Sequence, residues 1–227
     1  MNNLLSLLQL SDPALPIGGF SHSAGLETYV QYGTVNNKDT AKEFIVQQLS
    51  QNIFYTDAAF VSLAYDAAER KDLEAIVRLN EECSAVKLPK EMRMASQKMG
   101  VRLSKLFSSL CNDDFANEFM SANDFQNSLP HYPIAFGLFA FVLGTPKLEM
   151  LTGFYYNVAA GMITNSVKLV PLGQKDGQEI LFSLHPLIKD LAKKSTSPDK
   201  DLIGLCCTGF DIRCMQHEQL YSRLYMS

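Results

Sequence analysis

Apolar residues recur every three or four positions along most of this chain, and the strict alternation that marks a half-buried strand is nearly absent. A period near 3.6 gathers such residues on one face of a helix, and that face finds cover only against another helix. Met92, Ala95, Met99, Leu103, Leu106 and Leu110 trace the stripe of a long helix entered just after Pro89. Ala41, Phe44, Ile45, Leu49 and Ile53 repeat the pattern. The expected fold is all-α, a single-domain helical bundle of about eight to ten helices joined by short connections.

Start and stop signals sharpen this expectation. After Gly144, Thr145 reads as an N-cap and Pro146 as a first-turn proline. The helix they open runs to Val170, ahead of Pro171, with Leu151, Tyr155, Val158, Met162 and Leu169 on its buried face. A turn around Gly173, Asp176 and Gly177 leads into a helix through Ile180, Leu181, Leu184 and Ile188, which Pro186 must kink or break.

With 227 residues, of which 47% are hydrophobic and 19% charged, the chain suits one core and lies far from disordered compositions. A net charge of -4 with dispersed basic residues argues against nucleic acid as a partner. The densest apolar run, Ile134 to Leu143, is about half the length that crosses a bilayer and is interrupted by Gly137, which argues against membrane insertion. The opening MNNLLSLLQL has no basic first region and reads as a first helix rather than a secretory leader, so a cytoplasmic protein is expected. The odd set Cys83, Cys111, Cys206, Cys207 and Cys214 is expected to remain free thiols.

Three segments resist the helical pattern. Two prolines and paired glycines force Ser11 to Ser23, SDPALPIGGFSHS, into a shaped loop. Asn127 to Pro133, NSLPHYP, is a proline-bracketed turn. The polar linker Lys193 to Lys200 then divides a bundle over residues 1–200 from a tail over 201–227. That tail carries Phe210, Ile212, Met215, Leu220, Tyr221, Leu224, Tyr225 and Met226 interleaved with Arg213 and Arg223. Tyr, Met and Arg together are the composition of a binding surface. Docking on its own body as a last helix is a compatible reading.

Catalytic patterns are missing. No glycine-rich phosphate loop with a lysine in reach occurs, and Ser21 beside His22 lacks the second glycine of a nucleophile elbow. Asp113, Asp114 and Glu118 suggest a magnesium–diphosphate site, but such a site needs a facing ligand set that the sequence does not supply; a solvated helix start is the plainer reading. Cys206, Cys207, Cys214 and His217 lie close together, and Cys214 and His217 are one helical turn apart, a spacing that can share a divalent transition metal. The set matches no closed zinc pattern, so packing is the default and a transient nickel contact the alternative. His131 and His185 sit beside prolines and read as structural, and Glu27 reads as a surface acid or as part of a face that a partner recognises. The residues alone describe a helical binding protein, not an enzyme.

The segments that resist the helical pattern also carry a resemblance. SDPALPIGGFSHSAGLET resembles the N-terminal signature of the UreF family of urease accessory proteins. MRMASQKMGVRL, HYPIAFG, NSVKLVPLGQKDGQ and FDIRCMQHEQLYSRLYMS resemble its later segments in order. Ala24, Gln216 and Leu220 depart from residues common in that family. The resemblance implies an all-helical homodimer that binds the accessory protein UreD (UreH in some systems), recruits the GTPase UreG, docks on apo-urease and couples GTP hydrolysis to nickel delivery. It implies no resident cofactor. The family's tail is associated with UreD/UreH recognition, which selects Arg213, His217, Glu218, Tyr221, Arg223 and Tyr225 as partner-binding residues, with Ser21, His22 and Glu27 on the adjoining surface. A nickel metallochaperone built on the tail's Cys/His cluster is the alternative.

Overall fold

The computed structural model describes residues 2–122, 129–205 and 207–226. Among these the chain is all-α in a single domain, with twelve α-helices and no strand. They are α1 (Asn2–Leu10), α2 (Leu26–Gln31), α3 (Lys38–Gln47), α4 (Asp57–Glu69), α5 (Leu73–Val86), α6 (Lys90–Cys111), α7 (Asp114–Ala122), α8 (Tyr132–Val142), α9 (Lys147–Leu169), α10 (Gln174–Ser183), α11 (His185–Lys194) and α12 (Thr208–His217). The count exceeds the expected eight to ten because short helices such as the six-residue α2 carry too little periodicity to register in sequence. Pro186 also breaks its helix outright, so that α10 ends at Ser183 and α11 begins at His185.

The centre of the bundle is α8, whose residues Tyr132 to Ala140 are all buried. A helix without a polar face must be surrounded, and α8 packs against α4 on one side and α6 on the other. The approach to α4 is close because Gly137 meets Ala64 and the Val61 carbonyl. On α6 the buried seam is Ala95, Ser96, Gly100, Leu103, Ser104 and Phe107, displaced from the apolar stripe seen in sequence. Leu110 is 57% exposed and Met92 only half-buried. Close helix contact favours small side chains, and Ser96, Gly100 and Ser104 supply them at four-residue steps. The expected faces of α3 and its π-helical extension Gln48–Ile53 are buried as the spacing indicates, as are those of α10 and α11.

The other long element, α9, carries α1, α2, α3, α10 and α11. Its N-cap is Pro146 rather than Thr145, which is buried and whose carbonyl accepts a hydrogen bond from Tyr65 Oη at 2.9 Å. His131 starts α8: its backbone N–H donates to Asn80 Oδ1 at 2.8 Å and its Nδ1 lies 3.0 Å from Ser96 Oγ. The turn that holds it passes so near α6 that a Cβ at Gly100 would overlap the Pro130 carbonyl. The expected turn from Asn127 to Pro133 is described from Leu129 onward; Asn127 and Ser128 lie outside the described residues.

Candidate partner-binding site at the C-terminal tail

The irregular loop after α1 ends at Gly25, whose φ of +77° lies in the left-handed region. A Cβ there would stand 2.8 Å from Cys214 Sγ, so the missing side chain lets α12 lie directly on the start of α2. Two residues on, in the first turn of α2, Glu27 is 4% exposed. Its Oε1 accepts a hydrogen bond from Leu224 N at 2.7 Å, and its Oε2 accepts one from Tyr225 N at 3.1 Å. The same Oε2 lies 3.1 Å from His217 Nε2. The other ring nitrogen of His217, Nδ1, lies 2.7 Å from Glu91 Oε2, and Glu91 Oε1 accepts from Arg223 Nη1 at 2.8 Å.

The arrangement is a relay of two carboxylates, an imidazole and a guanidinium. Each ring nitrogen of His217 thus meets one carboxylate oxygen, so the imidazole bridges α2 and α6. Buried carboxylates need such partners, since an unpaired one is costly to desolvate. Further contacts secure the tail along its length. Met226 N donates to the Ser21 carbonyl and Gln31 Nε2 to the Ser222 carbonyl, each at 2.9 Å. The Arg213 guanidinium lies 4.6 Å from the Tyr32 ring centroid and 5.9 Å from that of Tyr29.

The outward side of this fastened segment is apolar. Tyr221 is fully exposed, Leu224 67% and Met226 57%, and Phe20 at the tip of the glycine loop is 65% exposed. Large apolar side chains gathered beside a fixed backbone mark an interaction surface.

A UreF family model matches residues 35–185. The chain is 47% identical to the urease accessory protein UreF of Actinobacillus pleuropneumoniae serotype 5b, over the full length of both. It is 43% identical to that of Haemophilus influenzae strain PittEE, over all of this chain and 97% of the relative. The corresponding protein of Bacillus sp. strain TB-90 is 33% identical over both full lengths. The chain belongs to the UreF family of urease accessory proteins.

In this UreF-family chain the residues singled out in sequence divide into two groups. Ser21, Glu27, Arg213, His217, Arg223 and Tyr225 come together where the tail meets the loop and α2, with Glu27, His217 and Tyr225 buried rather than displayed. Glu27 is therefore not the surface acid the sequence suggested; its contribution to any external surface passes through the tail it holds. Tyr221 and Glu218 face solvent. His22 is half-buried, its carbonyl accepts from Asn165 Nδ2 at 2.8 Å, and burial, with Lys98 and Arg102 nearby, holds its imidazole below the usual range. Glu91, Gln31, Tyr32 and Gly25 were missed, because their roles rest on contacts with the tail from segments far away in sequence.

The Cys/His cluster is differently placed. Cys214 is 3% exposed, and burial, reinforced by the charges of Asp211 and Glu91, pushes its thiol well above its ordinary range. Metal ligation by Cys214 and His217 requires both to leave these contacts. Cys207 is half-buried at the N-cap of α12, and Cys206 lies outside the described residues. No group of three His, Cys, Asp or Glu side chains able to hold a metal ion occurs among the described residues. Asp113 caps α7, its Oδ1 accepting from Ala116 N at 2.9 Å. Across the described residues no helix is long and apolar enough to cross a membrane.

Proposed function

We propose that this chain is a cytoplasmic, non-catalytic scaffold for urease maturation, in which the glycine loop and the tail fastened to it form one docking surface for UreD/UreH. The resulting complex recruits the GTPase UreG and couples GTP hydrolysis to nickel delivery into apo-urease. The observation that carries this reading is the fastening itself. A buried carboxylate holds the backbone of Leu224 and Tyr225 while Tyr221, Leu224 and Met226 stay exposed, and Met226 N reaches the Ser21 carbonyl next to the exposed Phe20. A rigid backbone presenting aromatic and aliphatic side chains is the arrangement that lowers the entropy lost on binding. Regulation of a GTPase partner requires only contacts that differ between its states, and no active site.

The same reading includes a homodimer. Leu4, Leu5 and Leu8 on α1 are 60%, 72% and 58% exposed, and Leu148 and Tyr156 on α9, the helix α1 rests on, are 47% and 41% exposed. That apolar face fits a second copy of the chain.

Co-expression with the cognate UreD/UreH tests the proposal. Full-length chain is expected to be recovered in complex, and a chain ending at Gln219 is expected to fold but not be recovered. Equal recovery of both, or recovery of neither while both are folded, contradicts the proposed docking surface.

A further inference from the structure

A cavity of about 230 Å³, partly open to solvent, lies between the glycine loop, α6, α9 and α12. The body contributes His22, Met99 and Met162 to its wall, and α12 contributes Phe210 and Asp211. The contacts that hold the tail lie elsewhere: Cys214 against Gly25, His217 between Glu27 and Glu91, and the backbone of Leu224 and Tyr225 on Glu27.

We propose that the tail is a strap along one side of this cavity, so that seating of the tail through Glu27 and covering of that side by α12 are a single equilibrium. A ten-residue helix such as α12 is too short to persist off the body, so its position depends on its anchors. Phe210, Cys214 and His217 are all buried on the same short helix and leave together when the anchors fail, taking one wall of the cavity with them. The coupling is reciprocal: a partner that grips the seated tail favours the covered cavity, one that draws the tail away uncovers it, and an occupant of the cavity favours the seated tail.

Site-resolved alkylation of the full chain carrying Met162→Cys, read by peptide mass spectrometry, tests the strap. The native Cys214 reports the tail, the thiol introduced at position 162 reports the cavity, and Cys83, fully buried in α5, reports global unfolding. Adding Glu27→Gln is expected to raise labelling at 214 and 162 together, by about tenfold or more, with Cys83 still protected. Arg223→Ala, which loosens the same relay from its exposed end, is expected to act in the same direction. A rise at 214 without one at 162 overturns the strap. Unchanged labelling at both positions overturns Glu27 as the anchor, and parallel labelling of Cys83 in both variants overturns independent movement of the tail.

Discussion

Glu27 and His217, 190 residues apart in sequence, meet at 3.1 Å in a buried seam between α2 and α12. This contact joins the two irregular segments of the chain, and Glu27 holds the tail together with Glu91 on α6. Removing the Glu27 carboxylate leaves the backbone N–H groups of Leu224 and Tyr225 without their acceptor. Glu27→Ala is therefore expected to lower the seating free energy of the tail by ~3 kcal/mol. Native-state hydrogen exchange checks this: the Leu224 and Tyr225 amides lose protection while those of α8 keep theirs. Retained protection at Leu224 and Tyr225 contradicts the assignment.

Two helical glycines give opposite predictions. Gly100→Ala drives a methyl group into the Pro130 and His131 backbone, which has no side-chain freedom to yield, and a loss of ~3 kcal/mol is expected. Gly161 lies within α9 with nothing within 4 Å of a Cβ, so Gly161→Ala is expected to stabilise by about 0.5–1 kcal/mol. Urea denaturation of the two variants measures both; equal effects contradict the packing described around α6.

Burial, reinforced by Lys87, brings the fully enclosed His131 imidazole down to about 4, against 6.5 in a free chain. Between these pH values the unfolded chain binds a proton that the folded chain refuses. Stability therefore falls as pH drops from 6.5 toward 4, by about 3 kcal/mol in total, and this contribution is constant below 4. His22, held low by burial and by Lys98 and Arg102, adds to the fall in the same direction. His131→Gln is expected to be less stable at pH 7 but to lose less stability on going to pH 4.5. Chemical denaturation at both pH values checks this, and parallel losses in the two proteins contradict it.

Much of the fold was legible because helical periodicity and proline punctuation are local. The stripe from Ala41 to Ile53, the buried Leu151, Tyr155 and Met162 of α9 and the break at Pro186 follow from spacing alone, whereas Val158 and Leu169 are only half-buried. The displaced seam of α6 did not, because contact distance rather than hydropathy selects Ser96, Gly100 and Ser104. The candidate site was half legible. Its tail stood out by composition and its loop by glycines and prolines, whereas the role of Glu27 as a buried tail anchor and the participation of Glu91 arise only when α2, α6 and α12 are folded together. The burial of Phe210 and Cys214 in α12 agrees with packing as the default reading of the cysteines and with the tail docking on the body as a last helix.

Tyr221 packs against nothing that would hold it buried, so Tyr221→Ala is expected to leave thermal stability within about 0.5 kcal/mol of the parent. Unfolding followed by circular dichroism is the check. A larger loss contradicts a display role for this side chain.

The most direct test of the shared loop-and-tail surface is the affinity of the purified chain for its cognate UreD/UreH, measured by biolayer interferometry for the parent, Tyr221→Ala, Phe20→Ala and the double variant. Each single variant is expected to weaken binding by about tenfold or more at unchanged stability, and the double variant by more than either. Parent-like affinity in all three variants contradicts the claim that the tail and the glycine loop form one partner-binding surface.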